Sequence, residues 1–260
     1  MFGPLYSDNP RRGEEGHSRG DLPGDRQDPQ VMKVAAVILS AGRGERLGAD
    51  IPKGFLKLGD RPLFLYSIMA FDALKPLEGG VVVVPEGWEE EAEAHLKSFQ
   101  KPWKVVGGGA TRQESSFRGL LALRDSPPDY VFLHDAARPF VSSELLARLL
   151  DCAPQAVIPV IKSVDSLAEV QGRWVHGFLD RERTFCVQTP QGFPYRRILD
   201  AHLRAQAEGI RDAPDDASIY LRSGGRVRIV EGDRLNFKIT LPEDLERARG
   251  ILNGAFLRPL

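Results

Sequence analysis

The sequence predicts an α/β protein in which a mostly parallel sheet is flanked by helices and carries a protruding β-hairpin arm. The run Val34–Leu39 is rich in Val and Ile, lacks period-2 alternation and is too short for a helix, as is typical of a strand buried on both faces. Similar runs recur between segments of helical periodicity, which is the rhythm of a parallel sheet with helical crossovers. Residues 162–187 break that rhythm with polar and apolar alternation. Together these observations favour a Rossmann-like fold with one inserted hairpin.

Each element is predicted from local signals along the chain. Pro62 suits the first turn of a helix that extends to residue 75, and Gly79 and Gly80 introduce the second strand. Thr111 is a candidate N-cap, and Glu114 completes a capping box. We expect further strands at 81–84, 105–106, 130–133, 156–161 and 226–230, and further helices at 88–99, 111–123, 142–150, 194–207, 215–223 and 240–252.

Composition narrows the classes of partner. The 260 residues, 42% of them hydrophobic, are enough for a proper core. The net charge of −1 supplies no general attraction to nucleic acid or to an anionic membrane, so we expect neither partner. Cys152 and Cys186 lack CxxC spacing and indicate neither a disulfide framework nor a structural zinc site. A reducing cytoplasm fits this usage.

The N-terminal segment differs from the rest of the chain. Residues 1–31 are rich in Gly, Pro, Asp and Arg and have almost no apolar periodicity, so we expect a disordered tail, with the folded domain at 32–260. The segment lacks the apolar centre of a signal peptide, and no later stretch is long enough for a membrane span. Met32 would be a natural alternative start.

A glycine-rich loop follows the first predicted strand and carries the cations Arg46 and Lys53. Glycines let a backbone approach an anion closely, so that its N–H groups and the two cations could bind phosphate. The loop fits neither the Rossmann fingerprint, because Leu47 stands where a third glycine is needed, nor a Walker P-loop, because Gly54 follows the lysine. A plain glycine turn with solvated cations is the alternative.

His134 and Asp135 follow the predicted strand at 130–133, and open α/β sheets bind ligands beyond the carboxyl ends of their strands. One carboxylate, with substrate phosphates and water, is a sufficient Mg²⁺ site. The alternative is an Asp that caps a helix or a turn. We interpret His134 as structural.

Five separated motifs resemble those of nucleotidyltransferases that join a nucleoside triphosphate to a phosphorylated alcohol or sugar. They are S-A-G-x-G-x-R-L-G with P-K-x-F-L, G-G-x-x-R-x-x-S, H-D-A-A-R-P, Q-T-P-Q and N-x-K-I-T, in that order from residue 40 to residue 240. Within that group the chain most resembles the 2-C-methyl-D-erythritol 4-phosphate cytidylyltransferases of non-mevalonate isoprenoid synthesis. Gly54 departs from the family pattern, which usually has Gln there.

The resemblance implies the following roles. The nucleotide CTP would contact Ser40, Ala41, Gly42, Gly44, Gly109, Ser115 and Ala136, with Arg112 bracing the base-recognition loop, and Arg46, Lys53 and Lys238 would be catalytic. Asp135 would bind Mg²⁺, with Mn²⁺ as the alternative ion. The sugar-alcohol phosphate would contact Asp135, Arg138, Ser166, Arg181 and Thr189.

The resemblance also implies a homodimer. In the family the hairpin arm clasps a second subunit, so Ser166 and Arg181 would complete the partner's acceptor site. An ordinary surface hairpin is the alternative reading of residues 162–187. Asp233 is a candidate second metal ligand that the sequence does not decide.

The chemistry expected from these residues is the attack of an acceptor phosphate on the α-phosphorus of CTP, with loss of pyrophosphate. A phosphate dianion needs no activated Ser, Cys or His, so catalysis would consist of positioning and charge neutralisation. Ribitol 5-phosphate cytidylyltransferases are one rival, although they tend to have Val where this chain has Ala137. Purine-dependent sugar-nucleotide enzymes and a catalytically silent nucleotide-binding protein are the others.

Overall fold

The computed structural model describes residues 32–42, 44, 47–48 and 51–254. The predicted tail at 1–31 and the predicted catalytic residue Arg46 lie outside the described residues.

An eight-stranded sheet runs through the described part of the chain, and its order is β10-β7-β11-β6-β1-β4-β5, with β12 also paired to β7. β1 pairs in parallel with both β4 and β6, whereas β10 and β11 run antiparallel to their neighbours. The predicted, mostly parallel α/β fold is confirmed. The strands are β1 (Val34–Leu39), β2 (Lys57–Leu58), β3 (Arg61–Pro62), β4 (Leu77–Val84), β5 (Trp103–Gly107), β6 (Tyr130–Asp135), β7 (Val157–Lys162), β8 (Ala168–Gln171), β9 (Trp174–Phe178), β10 (Phe185–Val187), β11 (Gln191–Pro194) and β12 (Arg228–Glu231).

Helices cover both faces of the sheet. They are α1 (Leu63–Asp72), α2 (Glu89–Leu96), α3 (Arg112–Leu121), α4 (Ser143–Leu150), α5 (Tyr195–Ala207), α6 (Asp216–Arg222) and α7 (Pro242–Leu252). Alternate residues of β1 enter opposite cores: Val34 and Ile38 pack with α1, α2 and α4, and Val37 packs with α3, α5 and α6. The unbroken apolar run of β1 therefore fills two cores at once, which is why its sequence does not alternate.

The direction of chain crossover changes at β1. From β1 the chain moves through β4 to β5 on one side and then returns to β6 on the other. β1 and β6 are in register to their last residues, because Leu39 pairs with Asp135. The residues that follow these two strands therefore emerge side by side at a topological switch point, where open α/β sheets bind ligands.

Three local features differ from the predictions. β4 begins at Leu77, so Gly79 and Gly80 lie inside the strand. A Cβ on Gly80 would stand 2.4 Å from the Ala36 carbonyl oxygen and 2.5 Å from the Trp103 ring, so glycine permits close strand packing here.

The antiparallel strand β11 was not predicted, because its four residues include Gly and Pro and show no periodicity. The capping box is incomplete as well. The Thr111 hydroxyl accepts from the Glu114 N–H at 3.1 Å, but the Glu114 carboxylate accepts from Ala110 rather than from Thr111.

The predicted hairpin is present as β8 and β9, which form a separate two-stranded sheet. Gly172 makes its turn with φ of 62°. Every residue of both strands is exposed except the half-buried Gly177. We call residues 162–187 the arm.

Candidate active site

A cavity of about 650 Å³ opens at the carboxyl ends of β1 and β6, a size typical of small-molecule sites. Of the predicted site residues that the structure describes, four lie outside this lining: Arg138, Ser166, Arg181 and Thr189. The others share it: Ser40, Ala41, Gly42, Gly44, Lys53, Gly109, Ser115, Asp135, Ala136 and Lys238.

One wall of the cavity is the loop after β1, which folds back onto Lys53. Gly44 has φ of 73°, and a Cβ there would lie 2.8 Å from the Lys53 Cβ. The Lys53 backbone N–H donates to the Gly42 carbonyl at 3.3 Å. Glycine at 44 is therefore required both by the backbone angle and by the close approach of the lysine segment.

Gly54 packs directly against Ser40. A Cβ at position 54 would lie 1.8 Å from the Ser40 Oγ, which is buried and has no hydrogen-bond partner among the described residues. A side chain larger than that of glycine at position 54 would therefore have to displace the Ser40 hydroxyl.

The opposite wall is the turn between β5 and α3. A Cβ on Gly108 would lie 2.3 Å from the Ala41 side chain, so the two walls meet closely. The Ser115 Oγ accepts from the Gly109 N–H at 3.1 Å and donates to the Thr111 carbonyl at 3.0 Å. These bonds fix the backbone at the mouth of the cavity.

Asp135 ends β6 on the floor of the cavity and is 7% exposed. Its Oδ1 accepts from Arg112 Nε at 2.9 Å, and its Oδ2 accepts from Lys238 Nζ at 2.7 Å. Burial opposes its charge, but the cations Arg112 and Lys238 hold the pKa of Asp135 well below its usual range. Asp135 is therefore an anion held between two cations.

Two buried residues behind Asp135 fix its backbone. The Asp135 N–H donates to the Thr189 hydroxyl at 3.0 Å, and that oxygen lies 3.1 Å from His134 Nδ1. The other nitrogen of His134 lies 3.1 Å from the Arg138 carbonyl oxygen. Burial lowers the pKa of His134 to about 4, so the ring is neutral at pH 7. This network agrees with a structural role for His134 and gives Thr189 a positioning role.

Lys238 reaches the cavity on the segment between β12 and α7, which is tied down by polar contacts. Arg138 Nη1 donates to the Asn236 carbonyl at 2.8 Å, and Asn236 Nδ2 donates to the Thr189 carbonyl at 2.8 Å. The Asp233 carboxylate accepts from the Leu235 N–H at 2.8 Å. Arg138 and Asp233 thus fix the course of this segment, and neither lines the cavity.

Sequence reasoning missed a buried carboxylate next to this site. Arg112 also donates from Nη1 to Asp216 Oδ2 at 2.9 Å, and Asp216 Oδ1 lies 3.0 Å from His202 Nε2. Arg112 thus bridges two carboxylates, and its predicted role in bracing the base-recognition loop stays a prediction. The sequence signal that could have indicated Asp216 is the pair Asp215–Asp216. Asp215 alone caps α6, so the second carboxylate has no part in the capping.

The donor set is compatible with Mg²⁺. Within the described ranges, no group of three or more His, Cys, Asp or Glu side chains could hold a metal ion. Asp135 is nevertheless an ionised carboxylate beside a cavity, and Mg²⁺ is commonly held by one or two carboxylates with substrate phosphates and water.

Ser166 and Arg181 lie on the exposed arm, away from the cavity of their own chain. Arg181 Nη2 donates to the Val164 carbonyl at 3.2 Å, so the guanidinium closes the base of the arm. Exposed apolar side chains cluster nearby: Val164, Val170, Trp174, Val175 and Phe178 are each 58–79% exposed.

The chain resembles known proteins along almost all of its described length. The family model described as "IspD: 2-C-methyl-D-erythritol 4-phosphate cytidylyltransferase" matches residues 34–254. The bifunctional enzyme IspD/IspF of Brucella anthropi is 41% identical over 223 residues, which cover 84% of this chain and 55% of that protein. The 2-C-methyl-D-erythritol 4-phosphate cytidylyltransferase of Geobacillus thermodenitrificans is 38% identical over 225 residues, covering 85% of this chain and 97% of the relative.

The fold also resembles that of a solved structure. The crystal structure of 2-C-methyl-D-erythritol 4-phosphate cytidylyltransferase from Thermus thermophilus is 34% identical and superposes with a TM-score of 0.70, covering 84% of this chain and 98% of that one. The chain thus spans about half of the bifunctional Brucella relative and nearly all of the Geobacillus and Thermus proteins. None of the helices described here has both the length and the apolar character to cross a membrane.

Proposed function

The chain belongs to the IspD family of 2-C-methyl-D-erythritol 4-phosphate cytidylyltransferases, and we propose that its cavity is where the transfer takes place. The chain is a cytidylyltransferase of isoprenoid biosynthesis. It moves the cytidylyl group of CTP onto 2-C-methyl-D-erythritol 4-phosphate, giving 4-diphosphocytidyl-2-C-methyl-D-erythritol and pyrophosphate.

The observation that carries the assignment of the site is the convergence of charge on one cavity. Lys53, Asp135 and Lys238 come from separate parts of the chain and line the same space. Cations around a cavity bounded by glycine backbone suit the binding of a polyphosphate, because they offset charge where bare amides cannot.

The mechanism follows from this arrangement. An oxygen of the acceptor phosphate attacks the α-phosphorus of CTP, the bond to the bridging oxygen breaks, and pyrophosphate departs with the electron pair. Lys53 stabilises the charge that grows on the transferring and leaving phosphates, and we propose that Arg46 does the same. Lys238 lies beside Asp135 and orients the acceptor phosphate. The acceptor is already a dianion, so positioning and electrostatics supply the catalysis.

Asp135 is the residue that we propose for the divalent metal. Mg²⁺, or Mn²⁺ in its place, would neutralise phosphate charge there as a Lewis acid. Both carboxylate oxygens of Asp135 are paired with cations, so Lys238 or Arg112 has to share its oxygen with the ion.

The base of CTP is proposed to lie against Gly109 and Ser115. Gly108, next to Gly109, packs closely on Ala41 where the two walls meet. We propose that this close approach favours a pyrimidine over a purine.

The arm supports a homodimer. A hairpin that exposes Trp174, Val175 and Phe178 leaves a large apolar surface in water, and such patches mark interaction sites. We propose that a second copy covers it and that Ser166 and Arg181 enter the partner's acceptor site. The free thiols Cys152 and Cys186 favour a reducing, cytoplasmic location.

Pyrophosphate release tests the proposal directly. The assay takes CTP, UTP, ATP or GTP with either 2-C-methyl-D-erythritol 4-phosphate or ribitol 5-phosphate, with and without a chelator. We expect release only with CTP and the methylerythritol acceptor, and its loss with the chelator. Release with ribitol 5-phosphate alone would replace the acceptor assignment, and CTP binding without product would indicate a silent nucleotide-binding protein.

A further inference from the structure

Arg112 joins the cavity to a buried carboxylate that lies outside it. Its Nε contacts Asp135 and its Nη1 contacts Asp216, each at 2.9 Å. The Asp216 side chain is fully buried and does not line the cavity, so it cannot act on a substrate directly. One guanidinium is therefore divided between two carboxylates with different surroundings.

The surroundings of Asp216 keep it charged. Burial opposes its charge, but Arg112 and then the bond from His202 lower the pKa of Asp216 to about 2. His202 is fully buried and stacks on Phe117 with ring centroids 6.2 Å apart. Asp216 is thus a fixed negative charge on the far side of Arg112 from Asp135.

The sharing of Arg112 between two carboxylates affects how strongly Asp135 can bind a metal ion. With Asp216 neutral, the full positive charge of Arg112 would be balanced by Asp135 and not by two carboxylates. A dication at Asp135 would then meet both a stronger competitor for the carboxylate and an uncompensated positive charge. Both effects oppose metal binding.

We propose that Asp216 is a positioning residue that shares Arg112 and thereby keeps the Asp135 carboxylate available to a divalent metal. The inference rests on the proposed function, since it takes Asp135 as the metal ligand. It differs from a purely structural role, in which Asp216 only anchors α6 to α3. A structural anchor would affect folding and leave the binding of metal unchanged.

The readout is the strengthening of nucleotide binding by metal. The dissociation constant of α,β-methylene-CTP is measured by calorimetry in EDTA and again in saturating Mn²⁺, and the ratio of the two is the metal enhancement. Any direct contact of Arg112 with phosphate affects both constants and cancels in the ratio. We expect Asp216→Asn to lower the metal enhancement by about tenfold, the size of a one-unit electrostatic effect.

A double variant separates electrostatic sharing from loss of structure. Arg112→Gln combined with Asp216→Asn removes the competing cation with its partner and leaves no unpaired buried charge. We expect its metal enhancement to equal or exceed that of the wild type, even though its turnover falls because Arg112 lines the cavity. If Asp216→Asn alone does not fold, this comparison with the wild type still decides the question, because an enhancement below the wild-type value overturns the proposal.

Asp215→Ala is the matched structural control. Asp215 caps α6 and accepts from Gln191 Nε2 at 3.1 Å. It is the neighbouring Asp216, and not Asp215, that pairs with Arg112. This variant should lower Tm and keep the wild-type enhancement. A wild-type enhancement in Asp216→Asn overturns the positioning role while leaving the proposed function intact. A wild type that releases no pyrophosphate and shows no enhancement overturns both.

Discussion

The carboxyl edge of the sheet and the arm differ in how fully their side chains find partners within a single chain. At the sheet edge, Asp135 accepts from two cations and its backbone is held by Thr189. In the arm, by contrast, Trp174 is 79% exposed and Phe178 is 73% exposed. Buried polar groups are normally paired, and large apolar side chains are normally covered. The cavity is thus organised within one chain, whereas the described residues of this chain leave the apolar side chains of the arm exposed.

The largest effect should follow from a change inside the cavity. Lys53→Ala removes a cation from the wall that we assign to the triphosphate, and kcat/KM should fall about 10²- to 10³-fold, the usual loss for one transition-state contact. Steady-state pyrophosphate release measures it. Lys57→Ala is the control, because Lys57 is exposed on β2 and outside the lining. Near-normal turnover in Lys53→Ala would contradict our assignment.

The second prediction concerns the arm. Arg181→Ala should lower kcat/KM about 10- to 100-fold, the range for a hydrogen bond to a charged group. Mixing it with Lys53→Ala should restore activity to about a quarter of that of the wild type, because half of the dimers would be mixed and each would carry one intact site. Each variant measured alone is the control. Mixtures no more active than the separate variants would show that the arm acts within its own chain.

The third prediction concerns stability at the sheet edge. Burial lowers the pKa of His134 from 6.5 to about 4, so His134 is protonated at a higher pH in the unfolded chain than in the folded one. The contribution of neutral His134 to the free energy of unfolding is complete above about pH 6.5. It is lost as the pH falls to 4, and the loss amounts to roughly 3 kcal/mol. Urea unfolding at pH 7 and pH 4 measures it. A difference as large in His134→Gln as in the wild type would assign the loss to other groups.

The smallest effect should come from the arm in the monomer. Trp174→Ser should change the unfolding free energy by less than about 0.5 kcal/mol in dilute protein, because the ring contacts mostly water. Phe132→Ala, at a fully buried position of β6, should cost about 3 to 5 kcal/mol. Urea titrations below the dimer dissociation constant measure both. A large loss in Trp174→Ser would mean that the arm packs on its own chain.

Sequence reasoning succeeded where the signal was local. The unbroken apolar runs of β1 and β6 and the alternation of the arm each reflect how one segment meets its surroundings. Glycine 44 and Lys53 could be placed together because they lie on one short loop. The motif order supplied the rest of the predicted site.

It failed where partners distant in sequence decide the outcome. Asp216 meets Arg112 across 104 residues, and nothing in the periodicity of α6 indicates that contact. The guanidinium of Arg138 likewise contacts the Asn236 carbonyl 98 residues away, which no local pattern indicates. Its contact with the acceptor stays a prediction. The strand β11 exists because β6 and β7 offer it edges, and its own residues have weak strand propensity.

The most direct test of the account is a crystal structure with CTP and Mg²⁺. We predict that the triphosphate lies between Lys53 and Asp135, with the cytosine against Gly109. A nucleotide bound elsewhere, with this cavity empty and the enzyme active, would contradict the central claim.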